Sequence, residues 1–148
     1  MSTDIPFREA TPRERAFNRI YGFFVGLGIG APSSYLLEVR GRKSGKIYST
    51  PVSLLEREGN RFLVAPRGRT QWVRNAEAAG EIALRKAWKR RRYKIRPLED
   101  GEKPEVLKSY LDTYKSTVQR FFPLPVGSPL AAFVELAANY PAFELFER

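Results

Sequence analysis

Two short stretches set glycine beside arginine or lysine in a way that suits an anion. In Gly41-Arg42-Lys43-Ser44-Gly45 the glycines permit backbone conformations in which successive amides converge, while Arg42 and Lys43 supply positive charge. Pro66-Arg67-Gly68-Arg69 stands directly before Thr70, a residue type that caps helices. The free amides and dipole of a helix starting there would also favour negative charge. Each stretch has a plainer reading. The first is also an ordinary basic hairpin turn, since Gly, Ser and Lys are common turn residues, and the second is also a solvated loop leading into a helix anchored by Trp72. Both lie at the end of a strand pattern, so together they could line one groove.

Other chemistry is poorly provided for. The chain has no Cys and no His, which removes thiolate nucleophiles, disulfides, imidazole bases and the usual zinc and haem ligands. No metal site is expected. Glu56, Glu58, Glu77, Glu81, Glu99 and Asp100 all fall at turns or exposed helix positions, so a pair of catalytic carboxylates has little support and no catalytic side chain is assigned. From Arg85 to Arg96, eight of twelve residues are Lys or Arg, with Trp88 and Tyr93 among them. That mixture suits single-stranded nucleic acid, but alternation turns Tyr93 inward and leaves Trp88 near a hairpin tip. A solvated cationic strand face is the favoured reading. Tyr110 and Tyr114 share a helix face, as a pocket wall or as core.

The rest of the chain must position these groups. Its 148 residues, 43% of them hydrophobic, suffice for one core, so a single domain over 1–148 is expected, with 11–30 as an N-terminal helical segment. Lys and Arg number 26 against 16 Asp and Glu, a net charge of +10 that attracts anions generally. Thr11-Pro12-Arg13-Glu14 reads as a capping box, followed by Phe17, Ile20, Tyr21 and Phe24 on one helical face. The apolar run 20–31 is shorter than the roughly 20 residues of a spanning helix and is rich in glycine. The start lacks a signal-peptide pattern, so a cytoplasmic location is expected. Arg13, Arg15 and Arg19 beside the apolar stripe add the expectation of peripheral contact with the cytoplasmic face of a membrane.

Tyr35, Leu37 and Val39 alternate as a strand, the turn 41–45 leads into a second strand containing Val52 and Leu54, and 61–65 reads as a third. Pro51 belongs at an edge or bulge because it has no amide hydrogen. Thr70 is expected to cap a helix with Trp72, Ala76 and Ala79 inward and Gly80 at its end. Residues 81–85 and 91–98 form a strand pair. A helix begins at Pro104 with Leu107, Tyr110, Leu111, Tyr114 and Val118 on one face, a short helix follows at 130–138, and a strand at 142–146 closes the chain. About six strands in hairpins with inserted helices predict an α+β fold built on a small antiparallel barrel.

The spaced combination Gly41-Arg42-Lys43-Ser44-Gly45, Thr50-Pro51, Arg67-Gly68, Trp72 and Asn75 resembles the deazaflavin-dependent nitroreductase family of split-barrel oxidoreductases. The resemblance runs from about residue 35 to 98, and more loosely to the end. It implies a split β-barrel that binds coenzyme F420, an 8-hydroxy-5-deazaflavin with a phosphate and an oligoglutamate tail, in preference to FMN or FAD. Hydride would pass to a small-molecule acceptor such as a quinone, a nitroaromatic or a related electron-poor compound, lying beside Tyr110 and Tyr114. By the same resemblance, Arg42 and Lys43 would hold the phosphate, with Ser44 and Gly45 also in the cofactor site. Thr50 and Pro51 would shape the groove wall, Arg67 and Gly68 would border the ring with Pro66 also in the cofactor site, and Trp72 and Asn75 would pack and orient the helix. Tyr48 and Arg67 depart from the family pattern, which often has Arg and Lys there. The rival is a non-catalytic barrel that binds a fatty acyl ligand, a membrane surface or another cofactor, with nucleic acid behind these.

Overall fold

The computed structural model describes residues 33–148. The N-terminal segment 11–30, with its expected helix, lies outside these residues. Seven strands form one sheet: β1 (Ser34–Arg40), β2 (Ile47–Ser53), β3 (Leu55–Arg57), β4 (Asn60–Val64), β5 (Glu81–Lys86), β6 (Lys89–Pro97) and β7 (Ala142–Glu147). The order is β2-β1-β5-β6-β7-β4-β3, with every pairing antiparallel.

That order explains the curl. β2 and β3 are the two edges of the sheet, yet only Leu54 separates them in sequence. The sheet must therefore bend round until its edges approach each other, and a curled half-barrel is the result. The second strand read from the sequence is thus two strands meeting at a corner. Leu54 is buried, and its amide donates to the Ser33 carbonyl at 2.9 Å. Pro51 lies in edge strand β2, opposite Leu36, where a missing donor is tolerated.

The core has two parts. Inside the curl, Leu37, Val39, Leu63, Ile82, Leu84, Tyr93, Phe143 and Leu145 pack with Val73 and Ala76 of α1 (Gln71–Ala79). On the outer side of β4 and β3, Phe62, Val64 and Leu55 meet a helical layer: α2 (Lys103–Thr113), α3 (Lys115–Val118) and α4 (Leu130–Val134), with 3-10 turns between. β4 is covered on both faces, which is why it reads as a near-continuous apolar run.

Two local expectations need correction. Ala79 is exposed, and the inward side of α1 is centred on Val73 and Ala76, with Trp72 only half-buried. Thr70 occupies the N-cap position in extended conformation, but its side chain makes no capping bond. Gly80 does end α1 in the left-handed conformation at φ 73, its amide bonded to the Ala76 carbonyl at 2.8 Å.

Candidate functional site

The β1–β2 turn is a closed structure. The Gly41 amide donates to the Lys46 carbonyl (2.7 Å), Gly45 to the Gly41 carbonyl (3.0 Å), and Lys46 to Ser44 Oγ (3.2 Å). The Arg42 amide reaches across to Asn75 Oδ1 on α1 at 3.1 Å. These four donors are committed within the protein, so the turn is not an open ring of converging amides. It offers side chains instead.

Arg42 connects the turn to α1. Its guanidinium Nη1 donates to Asn75 Oδ1 at 2.8 Å and to Gln71 Oε1 at 3.0 Å. Asn75 is 5% exposed, so one buried amide oxygen receives both the backbone and the side chain of Arg42. These partners are uncharged, so among the described residues no carboxylate offsets the guanidinium charge. Lys43 and Lys46 are exposed on the same turn, with no carboxylate recorded beside either among the described residues.

Strand alternation sorts the residues of β2. Tyr48, Thr50 and Val52 stand opposite Val39, Leu37 and Tyr35, on the face turned into the curl. Pro51 points the other way. Tyr48 is half exposed there and shares a hydrogen bond with Ser44 (3.1 Å). Its ring lies so close over Gly41 that a Cβ at that glycine would come within 2.5 Å of Tyr48 Cε2, so a larger residue there would require the Tyr48 ring to move.

The second stretch is divided. Arg69 pairs with Glu77 at 2.8 Å, while the Arg67 guanidinium lies over the Phe121 ring, 5.3 Å from its centroid, toward the proline-rich segment. Gly68 and Thr70 form the entry to α1, and the buried Thr70 Oγ1 has no hydrogen-bond partner. Trp72 supports the helix by packing on Phe143, ring centroids 5.9 Å apart. An open depression of about 540 Å³ is lined by Arg42, Arg69, Arg74, Glu77 and Ala78 on the outer side of α1. It does not include Lys43, Ser44 or Thr50, so it is an annex to the turn and not the groove inside the curl.

Arg42, Lys43, Ser44, Gly45 and Asn75 are therefore brought together, with Thr50 on the adjoining strand. Pro66, Arg67 and Gly68 lie at the other approach to α1. Tyr110 and Tyr114 are elsewhere. Tyr110 is 3% exposed in the helical core, where burial pushes its hydroxyl well above the ordinary tyrosine range, and Tyr114 packs edge-on against it. The Tyr114 hydroxyl donates to the Leu54 carbonyl and so braces the barrel corner.

Residues 7–127 match the family described as F420H(2)-dependent quinone reductase. The chain belongs to that family. No curated protein matches the sequence significantly. Among solved structures, an F420-H2 dependent reductase, FDR-A, is similar at 20% identity and TM-score 0.52, covering 80% of this chain and 100% of its own. A protein described as a domain-swapped dimer is similar at 20% identity and TM-score 0.54, covering 90% of this chain and 96% of its own. HutZ, described as a heme storage protein from Vibrio cholerae, is similar at 11% identity and TM-score 0.53, covering 78% and 82%. At these identities the structural likeness speaks for the split-barrel fold alone.

Membership makes the protein an oxidoreductase with coenzyme F420 as its cofactor, and the family's acceptor is a small molecule. The residues of this F420H(2)-dependent reductase fit such a group: a turn rich in cations without carboxylates, a strand face open beside it, and an orphaned buried hydroxyl at the start of α1. Among the described residues no cluster of metal-ligating side chains occurs and no helix is long and apolar enough to cross a membrane.

Three features escaped sequence reasoning. The Asn75–Arg42 tie joins residues 33 apart, and nothing in either local pattern signals it. Tyr48 stands out in sequence only as a departure from the family pattern, and its place on the inward face beside Thr50 comes from the strand register. The carboxylates that neutralise the basic strand come from three other strands and a 3-10 turn.

Proposed function

We propose that the chain holds F420 between the β1–β2 turn, the inward face of β2 and the start of α1, and reduces a quinone-class acceptor there. The observation that carries this reading is the turn pinned to α1 by Asn75, with Arg42 bonded to the neutral groups Asn75 and Gln71 and with Lys43 beside it. In this arrangement Lys43 and the remaining N–H groups of Arg42 hold the cofactor's phosphate, and Ser44 adds a hydroxyl. Gly45 lets the turn close. Thr50 forms the groove wall, while Pro51 acts through the backbone of the edge strand. Pro66, Arg67 and Gly68 border the ring, and Trp72 and Asn75 fix α1. Bound F420 supplies hydride to an electron-poor acceptor, so the protein's share is to bind, orient and shield. Tyr110 and Tyr114 act at one remove by bracing the corner at Leu54.

Nitroaromatic acceptors remain a second substrate class within the same reading. The basic and apolar pattern of residues 13–24 supports peripheral contact with a membrane, where hydrophobic quinones reside. Nucleic acid is disfavoured because the arginines of β6 already carry carboxylate partners.

The test is a binding panel of oxidised F420, FMN, FAD and haem at physiological salt, with quinone and nitroaromatic reduction by reduced F420 followed in parallel. F420 should bind most tightly, because its acidic tail uses cations that a bare flavin leaves idle. Equal or stronger FMN binding would overturn the assignment.

A further inference from the structure

The β5–β6 hairpin ends in a two-residue loop, Ala87-Trp88, between the paired residues Lys86 and Lys89. Trp88 is 88% exposed, the most exposed of the large hydrophobic side chains among the described residues. Ala87 has φ 55, a left-handed conformation costly for a residue with a Cβ, so the tight loop is shaped to carry the indole clear of the sheet. Nothing in the cofactor site uses it.

Four basic residues, Arg85, Lys86, Lys89 and Arg90, flank this tip. Arg85 and Arg90 share one carboxylate, Glu38, at 3.2 and 2.7 Å. The Lys86 ammonium lies over the Tyr35 ring, 4.9 Å from its centroid, and Lys89 is exposed on the other side of the loop. A lone amphipathic aromatic ringed by cations is complementary to the interface of an anionic bilayer, where Trp is favoured and acidic headgroups attract Lys and Arg. It suits single-stranded nucleic acid less well. One indole offers no series of stacking surfaces, and Arg91 and Arg92 farther along β6 are held by Glu147 and Glu81.

The tip also has a definite place. Register pairs Leu36 with Arg85, so the loop lies beyond the start of β1, beside Ser33, where residues 1–32 join the sheet. The turn at 41–46 follows the other end of β1, about 20 Å away along seven extended residues. A surface docked at the tip leaves the cofactor turn open.

We infer that the Ala87-Trp88 tip with Lys89 is a docking point for an anionic lipid surface, inserting the Trp88 indole at headgroup depth. The inference rests on the membrane contact proposed above and adds a second contact to it, as stable peripheral attachment by weak anchors requires.

The experiment uses the full chain with phosphatidylcholine vesicles containing phosphatidylserine, read by co-sedimentation and by quenching with brominated acyl chains. Wild type should bind and be quenched. Trp88→Ala should weaken binding about tenfold, as expected for losing one inserted aromatic side chain. Lys89→Glu should also weaken binding, and Trp88→Phe should abolish the quenching, since the other indole, half-buried Trp72, packs on Phe143 away from the tip. Reduction of a soluble quinone should be unchanged in all three. A fourth variant, Arg13, Arg15 and Arg19 to Glu, separates the two ideas. If it abolishes binding while Trp88→Ala does not change it, the membrane reading stands and the tip is excluded. Quenching that persists in Trp88→Phe also excludes the tip, and wild type that ignores the vesicles overturns both.

Discussion

Strand β6 and the β1–β2 turn are built from the same basic residues, and they present opposite faces to an anion. On β6, Arg90 is paired with Glu38, Arg91 with Glu147, Arg92 with Glu81, and Arg96 with both Glu102 and Glu144. At the turn, Arg42 is bonded to the amide oxygens of Asn75 and Gln71, which orient it without cancelling its charge. The densest cationic run is therefore the less available one. Counting Lys and Arg finds charge, but the distribution of carboxylates decides where a polyanion can sit.

The comparison breaks most sharply at Asn75. Asn75→Asp keeps the acceptor oxygens that hold Arg42, yet gives the turn the carboxylate that β6 already has. F420 affinity should fall by about 2 kcal/mol or more while urea stability stays near wild type, both measurable on one preparation. Asn75→Ala should instead lower stability, by about 1–3 kcal/mol, because the part-buried Arg42 amide loses its acceptor. Stability loss in both, or affinity loss in neither, would show that the tie does not set the turn's charge.

Smaller effects are expected on the paired side. Glu102 is held at a pKa of about 2, first by the hydrogen bonds from Arg96 and then by the Glu99 amide. Its folded value lies below the ordinary 4.5, so its contribution to stability is complete above pH 4.5 and declines as pH falls from there toward 2. Acid titration of Glu102→Gln against wild type should show the two curves converging over that range. The smallest functional effect belongs to Arg92→Glu with Lys94→Glu: quinone reduction should stay largely intact, because that face is remote from the turn. Its loss would place β6 in the site.

Much of the fold was legible because local patterns report local structure. The alternation in β1, the Gly80 stop and the start of α2 at a proline all follow from neighbours in sequence. The β2–β3 corner at Leu54 was not, since a single residue joining two sheet edges looks like one long strand until pairing is known. In the site, the glycines and cations of the turn were visible, and the spaced motif carried the family. What they do with their amides was hidden, because Asn75 competes for a donor from 33 residues away. Tyr110 illustrates the opposite limit: a helical aromatic stripe reads alike as pocket wall or core, and only packing places it 3% exposed inside.

The most direct test of the account is Lys43→Ala, with F420 affinity measured across a range of salt concentrations and Lys94→Ala as the matched control on β6. Loss of about 1–3 kcal/mol of affinity and a shallower salt dependence at Lys43, with little change in stability, is the predicted result. Affinity and salt dependence unaltered at Lys43, or reduced equally at Lys94, would contradict it.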